Sequence, residues 1–255
     1  MCGIAGIARA NQDLKITEKI ITDMLLSLEI RGRDATGISW QDTSKKFYIL
    51  KTPARASDFV QLPEYKENIQ KVIESPIILL HTRAATQGWP GNNQNNHPIF
   101  NKKGIIIHNG VVRVPAILKG DGETDSEQIL LYIQKYGFRE GLSMVNGWMS
   151  IAYVSLLGGE LFLYAEKAPL TYFKTESGAI VFASTYTTLQ AGFNVSPKKV
   201  KDVEPLTVFK VVDNKTLLPI ASIKRSVPSY ETYAQPGKIN VHFAPGYSDR
   251  VTSDP

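Results

Sequence analysis

The sequence predicts an α+β fold built on antiparallel sheets. Short apolar runs that suit buried strands recur from Gly3–Ala8 to Ala179–Ala183. After Gly147 these runs follow one another across short polar turns, as hairpins do. The strand–helix alternation of a parallel sheet is absent.

Gly3–Ala8 is apolar throughout and reads as a buried strand. Ile16, Ile20, Met24 and Leu28 recur every four residues, and Ile21 and Leu25 widen the same face, which predicts an amphipathic helix. Gly32 is expected to end it by releasing the helical geometry. Strands are expected over Thr36–Gln41 and Lys46–Lys51, then a helix over Glu64–Glu74 that stops before Pro76. Ile77–Leu80 is a strand running into His81-Thr82-Arg83, and the polar stretch Gly88–Pro98 is a loop and a candidate lid. Ile105–Ile107 is a strand running into His108-Asn109-Gly110. Thr124 and Glu127 have the spacing of a capping box and open a helix reaching about Tyr136. Strands are expected at Trp148–Leu157, Glu160–Ala165, Thr171–Thr175, Ala179–Ala183 and Leu206–Val212. Residues 1–225 are expected to form one domain, and 226–255, rich in polar residues, Pro, Gly and Tyr, a flexible tail.

At 255 residues the chain is long enough to bury a sizeable core. Its 43% hydrophobic and 21% charged residues place it with globular rather than disordered chains. The net charge of +5 is mild, and the pairs Lys45-Lys46, Lys102-Lys103 and Lys198-Lys199 are scattered, so no nucleic-acid partner is expected. No apolar stretch is long enough for a membrane helix, and Arg9 follows the first apolar run where a secretory signal would place it before, so a cytoplasmic protein is expected. A single cysteine excludes an internal disulfide and a cysteine-rich zinc site.

That cysteine is Cys2. Elsewhere it would read as a small buried apolar residue. At position 2 it becomes the first residue once Met1 is removed, and then carries its own base. A free α-amine, with a pKa of roughly 7.7–8.0, can take the thiol proton and return it to a leaving nitrogen. A Cys–His dyad remains open from the residues alone. His81, His97 and His108 invite a metal, but they lack helical ligand spacing and no carboxylate or further cysteine joins them, so no metal is expected.

Several short motifs follow in order: MCGIAGI at the start, Arg31-Gly32-Arg33-Asp34-Ala35-Thr36-Gly37, His81-Thr82-Arg83-Ala84-Ala85-Thr86, Asn96-His97-Pro98, His108-Asn109-Gly110, Thr124-Asp125-Ser126-Glu127 and Val181-Phe182-Ala183-Ser184. Together they resemble the class II glutamine amidotransferases, which are N-terminal-nucleophile hydrolases, over about residues 2–210. The resemblance implies a four-layer αββα sandwich of two antiparallel sheets. It implies hydrolysis of the glutamine side-chain amide to glutamate and ammonia through a Cys2 thioester, with no cofactor. By the same resemblance Arg83 grips the glutamine carboxylate, Asp125 meets its ammonium, and Asn109 and Gly110 form the oxyanion hole. Arg31 supports the nucleophile, and Thr86 and His108 contact the substrate. Asn109-Gly110 also has the composition of a tight hairpin turn.

Two departures stand out. Where some members carry HTRWATHG, this chain has Ala84 and Gln87, so a bulky gate for ammonia is missing at those positions. Ala165–Leu170 lacks the arginine–aspartate pattern common there. The residues after Lys210 are too few for a second catalytic domain, so either a separate synthase subunit is expected to receive the ammonia or the chain is a stand-alone glutaminase-like enzyme. Two alternatives stand beside this reading: an N-terminal-cysteine amidohydrolase acting on another amide, and a non-catalytic relative that binds or supports.

Overall fold

Strands that are apolar at every position become strands buried on both faces. In the first, β1 (Gly3–Ala8), Ile4 and Ala8 face one apolar cluster and Ala5 and Ile7 face another. This is the period-2 alternation of a strand read against two different layers. A computed structural model describes residues 1–10, 14–120 and 122–225. The tail expected over 226–255 lies outside the described residues.

Helix α1 (Glu18–Leu28) starts where the Thr17 hydroxyl accepts from the Ile20 amide. It buries Ile21, Met24, Leu25 and Leu28. The hairpin β2 (Ala35–Gln41) and β3 (Phe47–Thr52) follows, then a short α2 (Ala56–Phe59). Helix α3 (Pro63–Glu74) has proline in its first turn, where no donor is needed. Strand β4 (Ile77–Arg83) carries the His81-Thr82-Arg83 motif at its end. β5 (Ile99–Asn101) pairs with the long β6 (Gly104–Arg113). Helix α4 (Asp125–Tyr136) is capped by Thr124, whose hydroxyl accepts from the Glu127 amide. After α5 (Phe138–Met144) come β7 (Asn146–Ser155), β8 (Leu161–Glu166), β9 (Thr171–Lys174) and β10 (Ile180–Ala183). Then α6 (Tyr186–Phe193), β11 (Lys201–Asp202), β12 (Thr207–Val212) and β13 (Thr216–Ser222) complete the described elements.

The strands form two antiparallel sheets, ordered β11-β9-β10-β1-β4-β2-β3 and β13-β12-β8-β7-β6-β5. Ile4, Ile77 and Leu79 of the first meet Ile105, Ile107, Ala152 and Leu163 of the second in the layer between them. The outer face of the first sheet packs on α1, α3 and α6 through Ile7, Leu80, Met24, Leu25, Tyr65 and Leu189. That of the second packs on α4 and α5 through Ile106, Ile151, Ile129, Ile133 and Leu142. The result is the expected helix–sheet–sheet–helix sandwich. No helix among the described residues is long and apolar enough to cross a membrane.

One local expectation is met and one corrected. Helical structure ends at Gly32 as expected, by an extended residue rather than a left-handed turn: its φ is −166°. A Cβ there would sit 2.3 Å from the main-chain carbon of Arg83, so close backbone approach is what requires glycine. Asn109-Gly110 is not a hairpin turn. Both lie inside β6, opposite Ser150 and Met149 of β7.

Candidate active site

The ends of β1, β4 and β6 meet where the first sheet faces the second. β1 pairs with β4 in the register Gly3↔Thr82, which sets Cys2 beside the end of β4. The Cys2 thiol donates to the Ala84 carbonyl at 3.6 Å. Arg31, just past α1, donates from Nε to the Cys2 carbonyl at 2.8 Å and so fixes the backbone of Cys2. Ser184 closes the same end: its hydroxyl accepts from the Ile4 amide and its amide donates to the Ile4 carbonyl.

Burial raises the pKa of the Cys2 thiol; the Ala84 carbonyl bond, the chain's amino terminus and Arg83 pull it down, and Asp125 pushes it up. The sulfur is therefore a neutral thiol at ordinary pH. Met1 is exposed and its Sδ accepts from Arg31 Nη2 at 3.8 Å. With Met1 attached the free amine lies one residue away from the sulfur-bearing one.

Arg83 is 3% exposed and its guanidinium is gripped by the loop that follows. Nη1 donates to Asn96 Oδ1 at 2.8 Å, while Nη2 donates to the Gly88 carbonyl at 2.8 Å and to the Gln87 carbonyl. Both Nη2 hydrogens are thus engaged. Asp34 holds the start of this loop, accepting from the Ala85 amide at 2.7 Å. Gly37 lets the loop lie against β2, since a Cβ there would meet the His97 carbonyl at 2.1 Å.

Asn109 is fully buried, and among the described residues its Nδ2 makes only a long 3.5 Å contact with Ser150 Oγ. Its Oδ1 has no hydrogen-bond partner among the described residues. Gly110 has φ +150°, and a Cβ there would lie 1.9 Å from the Trp148 carbonyl, so no other residue fits. Asp125 opens α4, accepting from the Val112 amide at 2.9 Å and from the Ser126 hydroxyl at 3.5 Å. It lines a cavity of about 430 Å³ shared with Gln87, Val112, Ile117 and Gln128. Cys2, Arg83 and Asn109 do not line this cavity. Thr86 is exposed on the loop.

His108 is structural in its contacts. Its Nδ1 bonds to Ser126 Oγ at 2.9 Å, tying β6 to α4, and its carbonyl accepts from His81 Nε2 at 3.1 Å, tying β6 to β4. His97 stacks on His81 with ring centroids 4.1 Å apart. Burial pushes all three imidazoles down, His81 to about 3, so all are neutral at ordinary pH. No group of His, Cys, Asp and Glu among the described residues is arranged to hold a metal.

The sequence motifs thus meet at one end of the sandwich, with Cys2, Arg31, Arg83, Asn109, Gly110 and Asp125 around it. Two further residues hold this arrangement. Asn96 belongs to the Asn96-His97-Pro98 motif, and its side chain holds Arg83. Lys51 reads in the sequence only as the end of a strand, yet it bonds the loop at Asn96 and Pro98.

No family model matches the chain. It is similar to the glutamine–fructose-6-phosphate aminotransferase [isomerizing] of Listeria monocytogenes serovar 1/2a, at 28% identity over 209 residues, or 74% of this chain and 33% of that protein. The enzyme of the same name from Francisella tularensis subsp. tularensis is 34% identical over 155 residues, 57% of this chain and 24% of that one. The chain therefore spans about a third or less of the length of these relatives. Among solved structures, a glutamine phosphoribosylpyrophosphate amidotransferase from B. subtilis has the same fold, with a TM-score of 0.66 and 19% identity over 86% of this chain and 49% of that one.

Proposed function

We infer that this chain, which belongs with the class II glutamine amidotransferase domains, hydrolyses the side-chain amide of glutamine and releases ammonia for an acceptor enzyme. One observation carries the reading. The Cys2 thiol bonds the carbonyl of Ala84, the residue after the cation Arg83, and the anion Asp125 is tied to β6 at Val112, two residues past Gly110. An α-amino acid offers the complement, a carboxylate and an ammonium at one end and a neutral amide at the other. Arg83 suits the carboxylate, because a guanidinium bonds it through two parallel N–H groups. Asp125 suits the ammonium.

The chemistry needs Met1 removed. The α-amine of Cys2 then takes the thiol proton, and the sulfur attacks the amide carbon. The oxyanion accepts from Asn109 Nδ2 and the Gly110 amide, and one such donor is commonly worth ~10²–10³ in rate. Collapse breaks the C–N bond. The proton held by the amine goes to the leaving nitrogen, which departs as ammonia and leaves a thioester on Cys2. Water, deprotonated by the same amine, hydrolyses the thioester to glutamate and restores the thiol. Glutamine enters only when its carboxylate replaces the Gln87 and Gly88 carbonyls on Arg83, so the loop following Arg83 must move.

Intact mass and glutaminase assays on wild type and Cys2→Ala test this. Expected are a chain lacking Met1, glutamate formed by the wild type, and none formed by Cys2→Ala. A correctly processed wild type that forms no glutamate, alone or with added acceptor protein, would sink the reading.

A further inference from the structure

The loop that grips Arg83 is itself pinned from the far side. Lys51 stands on β3 opposite Gly37, and its Nζ donates to the Asn96 carbonyl at 2.7 Å and to the Pro98 carbonyl at 3.1 Å. The Lys51 carbonyl in turn accepts from Asn93 Nδ2 at 2.9 Å. Asn96 then spends its side chain inward: Nδ2 donates to the Pro90 carbonyl and to Asn93 Oδ1, and Oδ1 accepts from Arg83 Nη1. An unbroken chain of hydrogen bonds runs from the ammonium on β3 through Asn96 to the guanidinium. It leaves the arginine's Nη1 fixed while only carbonyls of residues 87 and 88 cover Nη2.

We propose that Lys51 is a positioning residue for glutamine binding: through Asn96 it holds Arg83 in the pose that receives the substrate carboxylate, while the Gln87–Gly88 segment alone moves aside. This rests on the glutamine reading above. Lys51 touches no reacting atom, so its removal weakens binding and leaves the chemical step nearly intact. A lysine serves here because two carbonyls on either side of His97 require two N–H groups from one donor. The absence of a Cβ on Gly37 is what lets the His97 carbonyl come down beside the Lys51 stem.

The staple also has a titration. Burial, and next the charge of Arg83, push Lys51 down to about 8. The groups around it are Arg83 and the neutral His81 and His97 on the site side, and Lys119 and Glu127, which share a small cavity with it, on the other. Below about 8 the ammonium holds both carbonyls with charge-assisted bonds; above it a neutral amine holds them more weakly.

The test compares glutamine binding by calorimetry to Cys2→Ala and to Cys2→Ala/Lys51→Met, with hydrogen exchange of the Trp89–His97 amides on both. Expected is a Kd raised about tenfold at pH 7, as for loss of a charge-assisted bond. Faster exchange of the loop amides is expected too, with most of the affinity restored by Lys51→Arg. In otherwise wild-type enzyme Lys51→Met should raise KM and leave kcat within about twofold, and the KM ratio should shrink above pH 8. Equal Kd for the two binding variants overturns the proposal and leaves the glutamine reading standing. Failure of Cys2→Ala itself to bind glutamine overturns both.

Discussion

His81 Nε2 donates to the main-chain carbonyl of His108 at 3.1 Å, and this bond joins the two sheets two residues before Arg83 and one before Asn109. It spans the gap between the group proposed to hold the substrate and the group proposed to stabilise its transition state. A carbonyl can only accept, so the proton sits on Nε2. The neutral state of His81 follows from its burial.

His81→Phe keeps the ring stacked near His97 but leaves a buried carbonyl without its donor. Such a loss costs about 1–3 kcal/mol of stability. The expected result is a lower urea midpoint with an unchanged slope, and a fall in kcat larger than the rise in KM, because the oxyanion donors lose their register against Arg83. A variant as stable and as active as the wild type would show that the bond contributes nothing.

Acid stability follows from the three buried imidazoles. Their folded pKa values lie below the ordinary value near 6.5, with His81 at about 3. Between those limits the unfolded chain binds protons that the folded chain refuses. Stability therefore rises with pH through this window and is lost as pH falls from about 6.5 towards 3. Each histidine contributes a slope of up to about 1.4 kcal/mol per pH unit. Urea unfolding of wild type and His97→Phe between pH 4 and 6 checks this. The variant's slope should be shallower. Identical slopes would mean that His97 is protonated in the folded state.

The strands that build the site were legible because each is apolar at consecutive positions, and a run buried on both faces leaves an unbroken signal. Ile77–Leu80 and Ile105–Ile107 are examples. Helix α1 was legible from its apolar period and α4 from its capping box. Strand β13 was not: it is an edge strand carrying Pro219 at an irregular register, with several exposed residues, so neither alternation nor an apolar run marks it. Helix α6 reads Tyr-Thr-Thr-Leu-Gln-Ala-Gly-Phe, whose threonines and glycine favour other states, and it forms because Leu189 packs in the core under α1. Within the site, Arg83 and Asp125 were legible only through ordered motifs. The carbonyls on Arg83, and the tie from Lys51 to Asn96 across 45 positions, were not, because hydrogen bonds to main-chain oxygens leave no trace in residue type.

The same carbonyls set the outcome of a conservative change at Arg83. A lysine there keeps the positive charge but presents a compact ammonium in place of a planar fork, and it cannot bond a carboxylate through two parallel N–H groups. It also cannot hold Asn96 Oδ1 and still reach past the Gly88 carbonyl, two tasks that Nη1 and Nη2 divide between them. Loss of one charge-assisted bond is worth about 1.5–3 kcal/mol, or roughly a ten- to hundredfold rise in glutamine KM. Since the amide carbon and the Cys2 sulfur are untouched, kcat should fall much less than KM rises. Steady-state kinetics of Arg83→Lys with glutamine, set beside an amide substrate lacking the α-carboxylate, decides the matter. The variant should lose its advantage for glutamine and keep its rate on the truncated amide. Equal losses on both substrates would move Arg83 from carboxylate recognition to support of the nucleophile.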